Sequence, residues 1–165
     1  MHNTRIASQA DIKEISALLA ASWKKAYRGI VEDAYLDSIR DDAWVAFLTD
    51  EMHKSGAFVM VLENKRKMIG AAFLGKAQKE GKASLNAFYL LPEKIGKGLG
   101  RLFYCEIEAE LKRRGFLGCV LDVLENNTRA IRFYRAHGFC ETGEAIQTTL
   151  GEGTYTCRVM EKTLG

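Results

Sequence analysis

Three glycines at alternate positions, Gly96, Gly98 and Gly100, stand where "YLLPEKIGKGLGRLFYCEIEAELKRRG" (residues 89–115) passes from an apolar run to a helical pattern. Glycine loses more backbone entropy on ordering than any other residue, so this cluster points to a place that needs bare backbone. A strand, a glycine turn and a helix start together build an anion site. The amides of the turn and first helical turn are unpaired, and the helix dipole adds roughly half a positive charge. Lys97 and Arg101 add charge at the rim. The spelling fits neither of two common phosphate signatures: there is no GxxxxGK[ST], and Gly96-x-Gly98-x-Gly100 is not GxGxxG. Without a ligand, the same stretch reads as a loose loop and a helix cap.

The rest of the chain supplies the frame for that turn. "TRIAS" reads as a short extended start, and Ile12, Ile15, Leu18, Leu19, Trp23 and Tyr27 then draw one helical stripe that Gly29 ends. "VEDAYLDSI" and "DDAWVAFLTDEM" predict two short helices, each opening on acidic residues. "AFVMVLE" and "MIGAAFLG", joined by the charged "NKRK", predict a hairpin, and "ASLNAFYLL" a third strand. After the glycines, Leu99, Leu102, Phe103, Ile107 and Leu111 share a helical face, and Gly115 stops the helix. "LGCVLDVL" predicts a strand. "NNTRAIRFYRAH" predicts a helix with Asn or Thr at its cap and Gly138 at its end. "FCETGEAIQTT" and "TYTCRVMEKTL" predict two closing strands. The 165 residues are expected to form one domain, 1–165, of α/β or α+β class around one mixed sheet.

Composition removes several function classes. Lys and Arg number 24 against 21 Asp and Glu, a balance that argues neither for nor against nucleic acid, and with only "KRR" at Lys112–Arg114 beside it no nucleic-acid partner is expected. Cys105, Cys119, Cys140 and Cys157 stand far apart, which fits reduced thiols better than a disulfide framework. His2, His53 and His137 form no spacing for a metal. No signal-peptide core and no 18-residue apolar run occur, so the expectation is a cytoplasmic protein without a membrane partner.

Two blocks carry a resemblance. "PEKIGKGLGRLF" resembles the acetyl-CoA pyrophosphate loop of the GNAT superfamily of N-acetyltransferases, Q/R-x-x-G-x-G/A, at Ile95-Gly96-Lys97-Gly98-Leu99-Gly100. Gly98 and Gly100 match the small positions, and Ile95 departs from the leading Gln or Arg. "LDVLENNTRAIRFYRAHGF" is similar to the family's second cofactor segment. Leu121, Val123, Asn127, Ala130, Ile131, Tyr134, Gly138 and Phe139 fall in register.

The resemblance implies a mostly antiparallel central sheet of about seven strands with flanking helices, splayed between the two central strands. It implies acetyl transfer from acetyl-CoA to the primary amine of a small molecule or peptide, by direct attack in a ternary complex. The cosubstrate would contact Phe88, Tyr89 and Leu90, the loop from Ile95 through Gly96, Lys97, Gly98, Leu99 and Gly100 to Arg101, and Asn127, Ala130 and Tyr134. Tyr134 matches the general acid; as a bland alternative it is a core aromatic beside Phe133. Asn127 reads equally as a plain helix cap. Asp122 is the candidate base, acting through water, against a solvated strand carboxylate. Ser84 stands where many members carry Glu, and Glu32 and Glu51 are further base candidates. Trp23, Tyr27 and Tyr35 are expected to line the acceptor pocket, and no metal is expected. The resemblance alone implies a homodimer through the closing strands. A non-catalytic acyl-CoA-binding module is the alternative function.

Overall fold

The computed structural model describes all residues, 1–165. Seven strands form one sheet in the order β1-β2-β3-β4-β5-β7-β6. They are β1 (His2–Ile6), β2 (Phe58–Asn64), β3 (Lys67–Lys76), β4 (Lys82–Leu90), β5 (Gly118–Leu124), β6 (Cys140–Leu150) and β7 (Gly153–Thr163). Helices α1 (Ile12–Ala26), α2 (Asp33–Ser38) and α3 (Val45–Glu51) precede β2; α4 (Leu99–Arg113) and α5 (Thr128–Ala136) flank β5.

Strand alternation sorts the apolar residues onto two faces. Met60 and Leu62 join Phe103, Ile107, Leu111 and Ile131 in the core under α4 and α5. Val59 and Val61 join Ile15, Leu18, Leu19 and Leu48 under α1 and α3. A third cluster gathers Ala20, Tyr27, Leu36, Leu124 and Cys157 where α1 and α2 meet the ends of β5 and β7.

Every neighbouring pair is antiparallel except β4 and β5. These two run parallel and pair only over Lys82–Ser84 with Gly118–Val120. Beyond that they part, while β4 stays paired to β3 as far as Leu90 and β5 to β7 as far as Leu124. A bulge helps to bend β4 away: Phe73 faces Ala87 and Leu74 faces Leu85, leaving Asn86 as the extra residue. The sheet is therefore two half-sheets joined at one end by three residue pairs and open at the other.

Local departures from the expected elements have local causes. The first helix ends at Ala26, and Tyr27 is its cap rather than its last turn. The third helix begins only at Val45, because Asp41–Trp44 form a turn in which the Trp44 amide donates to Ser16 Oγ at 3.0 Å. The hairpin turn carries Lys65 and Arg66 at positive φ, 50° and 65°, the geometry of a two-residue turn that usually selects Asn-Gly.

Candidate functional site

The open end of the gap is where the predicted residues meet. Leu91 donates its amide to Ile69 on β3 at 2.9 Å. Because peptide groups alternate along a strand, those of Leu90 and Phe88 turn the other way, into the gap. One is already used: the Leu90 carbonyl accepts from Ser22 Oγ on α1 at 2.8 Å. The Phe88 amide and carbonyl and the Leu90 amide face the gap without a partner strand. Phe88 and Leu90 send their side chains to the α4–α5 face and Tyr89 sends its ring to the α1 face.

At the end of β4 the chain makes one tight turn over Pro92–Lys94 and enters the glycine loop. Gly96 and Gly98 lie at φ +80° and +76°, a region that side-chain-bearing residues enter only with strain. A Cβ at either would meet nothing within 4 Å, so the loop is open above both. Gly100 differs. Its missing Cβ would stand 3.3 Å from the Phe133 ring, which lets the start of α4 close onto α5. None of the six amides from Gly96 to Arg101 donates within the protein, and α4 has no side-chain cap. The Ile95 amide is not among them: it closes the turn onto the Pro92 carbonyl at 3.3 Å. Lys97 and Arg101 are exposed beside this run.

On α5, Asn127 is the cap, its Oδ1 accepting from the Ala130 amide at 3.3 Å. Tyr134 lies about two turns further along the same side of the helix. Its ring stands edge-on to Phe133 and Phe139 at 5.6 Å each, and its hydroxyl makes no hydrogen bond in the protein. Burial, and the nearby Tyr27 and Cys119, push its pKa above the ordinary value of a phenol.

The α1 face of the gap is aromatic. Tyr27 and Tyr89 join hydroxyl to hydroxyl at 2.6 Å, and Trp23 packs on Tyr27, Trp44 and Tyr89 with centroids 4.7, 5.3 and 6.5 Å away. Tyr35 packs against the same apolar cluster as Trp23 and also meets Gly151 in the β6–β7 turn. Asp122 is exposed on β5, on the same face as Leu124, and burial alone raises its carboxyl pKa. Ser84 is the last β4 residue paired with β5. Glu32 is exposed at the start of α2 and donates its amide to the Tyr155 hydroxyl, and Glu51 pairs with Lys54.

Two cavities lie near the end of β5. One of about 130 Å³ touches Ile30, Leu124, Asn126 and Tyr155. One of about 300 Å³ lies between α5 and β7, lined by Arg132, Arg135 and Arg158, on the flank of α5 away from α4. Sequence reasoning missed Ser22, Trp44 and the Tyr27–Tyr89 bond. Ser22 falls within the apolar stripe of α1 and is 3% exposed, so a buried hydroxyl there was its one available signal.

A sequence profile of the acetyltransferase (GNAT) family matches residues 16–139. A spermidine N(1)-acetyltransferase of Thermoplasma acidophilum is 29% identical over 137 residues, 78% of this chain and 82% of that protein. YuaI, an uncharacterized N-acetyltransferase of Bacillus subtilis, is 31% identical over 144 residues, 83% of this chain and 79% of that protein. The crystal structure of PaiA N-acetyltransferase from T. acidophilum, in complex with coenzyme A, superimposes with a TM-score of 0.77 at 24% identity over 99% of both chains. Spermidine N-acetyltransferase of Vibrio cholerae, solved with CoA and spermine, gives 0.75 at 18% identity over 99% of this chain and 95% of that one. At such identities the two structures establish a shared fold.

Proposed function

Since the chain belongs to the acetyltransferase (GNAT) family, we propose that it transfers the acetyl group of acetyl-CoA directly to a primary amine of a small molecule. One observation carries the reading. Six consecutive amides, Gly96 to Arg101, are uncommitted at the end of a strand whose gap-facing edge is also unpaired. Such a run suits a pyrophosphate, and the strand edge suits the amides of a pantetheine arm. The open space above Gly96 and Gly98 fits a phosphate group lying against the backbone. Acetyl-CoA supplies the activated acetyl group.

The side chains take their roles from this placement. The amides from Gly96 to Arg101 hold the pyrophosphate, with Lys97 and Arg101 at its rim. Phe88 and Leu90 offer gap-facing peptide groups, and Asn127 keeps its Nδ2 for the pantetheine arm while Oδ1 caps the helix. Ile95 contributes shape rather than an amide, because its N–H is used in the turn. Ala130 keeps α5 slim beside the arm. Tyr134, held protonated by its dry surroundings, gives its proton to the departing sulfur. As the amine lone pair forms the C–N bond, the C–S bond breaks and its electron pair leaves with sulfur. Asp122 takes the amine proton through water; Trp23, Tyr27 and Tyr35 flank the acceptor.

A polyamine is the first acceptor to test, because one sequence relative and one structural neighbour are spermidine acetyltransferases. The experiment is titration with acetyl-CoA, then CoA release against polyamines, aminoglycosides, amino acids and short peptides. Release with a polyamine supports the reading in full. Release with peptides alone overturns the acceptor class, and binding without release to any amine favours an acyl-CoA-binding module.

A further inference from the structure

Resting on the acetyl-transfer reading, we infer that the hydroxyl pair of Tyr27 and Tyr89 is a second catalytic group, a donor to the carbonyl oxygen of the acetyl group. Two hydroxyls carry two hydrogens, and their 2.6 Å contact uses one of them. The Trp23 indole N–H, a donor only, also bears on the Tyr89 oxygen and uses no hydroxyl hydrogen, so one O–H of the pair is left over. Tyr27 is buried at the end of α1, whereas Tyr89 is half-buried on the stretch of β4 that borders the gap. The arrangement that serves the gap has Tyr27 donating to Tyr89 and Tyr89 keeping the outward hydrogen.

The pair cannot be the base. Burial raises both phenols above their ordinary value; Tyr27 and Tyr134 push Tyr89 further up, the bond from Tyr89 offsets part of the rise at Tyr27, and burial and Tyr27 raise Tyr134. All three therefore stay protonated at any working pH, Tyr27 and Tyr89 on the α1 side of the sheet and Tyr134 on the α4–α5 side. Two atoms of a thioester gain negative charge as an amine displaces the thiol: first the carbonyl oxygen, then the sulfur. The site holds two uncommitted phenolic hydrogens, one per atom. Tyr134 from the α5 face serves the sulfur, and the Tyr89 hydroxyl from the α1 face serves the oxygen. A fixed donor in a water-poor site needs no reorganisation when charge develops, and removing one typically lowers turnover by about 10²- to 10³-fold.

The test is the infrared carbonyl stretch of carbon-13-labelled acetyl-CoA bound to the wild type, Tyr89→Phe and Tyr27→Phe, with kcat and acetyl-CoA Kd measured alongside. The wild type should lower the stretch relative to free acetyl-CoA, Tyr89→Phe should abolish that shift, and Tyr27→Phe should weaken it by leaving the Tyr89 hydroxyl unoriented. kcat should fall about 10²- to 10³-fold in Tyr89→Phe, with Kd rising by no more than about tenfold, the scale of one lost ground-state hydrogen bond. The double variant should be no worse than Tyr89→Phe, since the two act as a unit. A wild-type stretch in Tyr89→Phe, or additive losses in the double variant, overturns the inference. A wild type that binds acetyl-CoA but acetylates no amine would overturn the functional reading instead, and the stretch still reports on the donor.

Discussion

Ser22 on α1 holds the carbonyl of Leu90 on β4 at 2.8 Å, fixing a helix to the lip of the gap through a peptide group that no strand reaches. Ser22 is 3% exposed, so Ser22→Ala strands a buried acceptor. The loss should be about 1–3 kcal/mol in urea unfolding, with a weaker Kd for acetyl-CoA as the lip loosens. Wild-type stability in this variant would mean that water replaces the hydroxyl there.

The three loop glycines should separate by mechanism. Gly98→Ala forces a Cβ into the left-handed region at about 1–2 kcal/mol, and calorimetry should show weaker acetyl-CoA binding with a small change in Tm. Gly96→Ala should behave alike. Gly100→Ala instead presses on Phe133 from 3.3 Å, so its Tm should fall as α4 and α5 are pushed apart. Equal effects at all three positions would contradict this division.

Tyr134→Phe should lower kcat by about 10²- to 10⁴-fold at unchanged acetyl-CoA affinity. The acid form of this phenol is the neutral one, and burial favours it, so its proton is kept to pH values above the ordinary 10. The wild-type kcat should thus show no alkaline decline between pH 7 and about 10, measured with a saturating amine. A decline centred within that range would assign the acid to another group.

Asp11 offers a stability test far from the gap. The hydrogen bonds from Arg5 hold its pKa at about 2, and Arg5 also pairs with Glu63 on β2, so the trio pins β1 and the start of α1 to the sheet. A depressed carboxylate pKa stabilises the fold above the unfolded value of about 3.9, and that contribution is lost as pH falls through about 2. Arg5 is 38% exposed, so screening reduces the contribution to about 1 kcal/mol. Asp11→Asn should be destabilised by that amount at pH 7 and converge on the wild type as pH falls below about 2.

Much of this molecule was legible in its residues because local chemistry and tertiary placement agree. The period-2 runs became β2 to β5, the stripes became α1 and α4, and Asn127 became the cap that its residue type suggests. The glycine loop was legible because positive φ is a demand that few residues meet. Long-range partners were not. Nothing near Ser22 in sequence announces Leu90, 68 residues away, and nothing near Tyr27 announces Tyr89, 62 residues away. The Ile95 amide, by contrast, is claimed locally by the turn at Pro92, so the free run begins at Gly96. Tyr35 shares the cluster of Trp23 and Tyr27 and also meets the β6–β7 turn, a long-range contact that its residue type does not announce.

Three residue pairs hold the two half-sheets together, and past Ser84 and Val120 nothing of the chain's own backbone bridges them. On the proposed placement, with its pantetheine arm along β4, acetyl-CoA would supply missing rungs of that ladder. The cosubstrate is then structural material as well as reagent. Its binding strengthens the protein by RT ln(1 + [L]/Kd), and β4 and β5 should exchange their amide hydrogens more slowly when it is bound. How long a copy of this protein lasts is thereby tied to how well supplied its surroundings are with the molecule it spends.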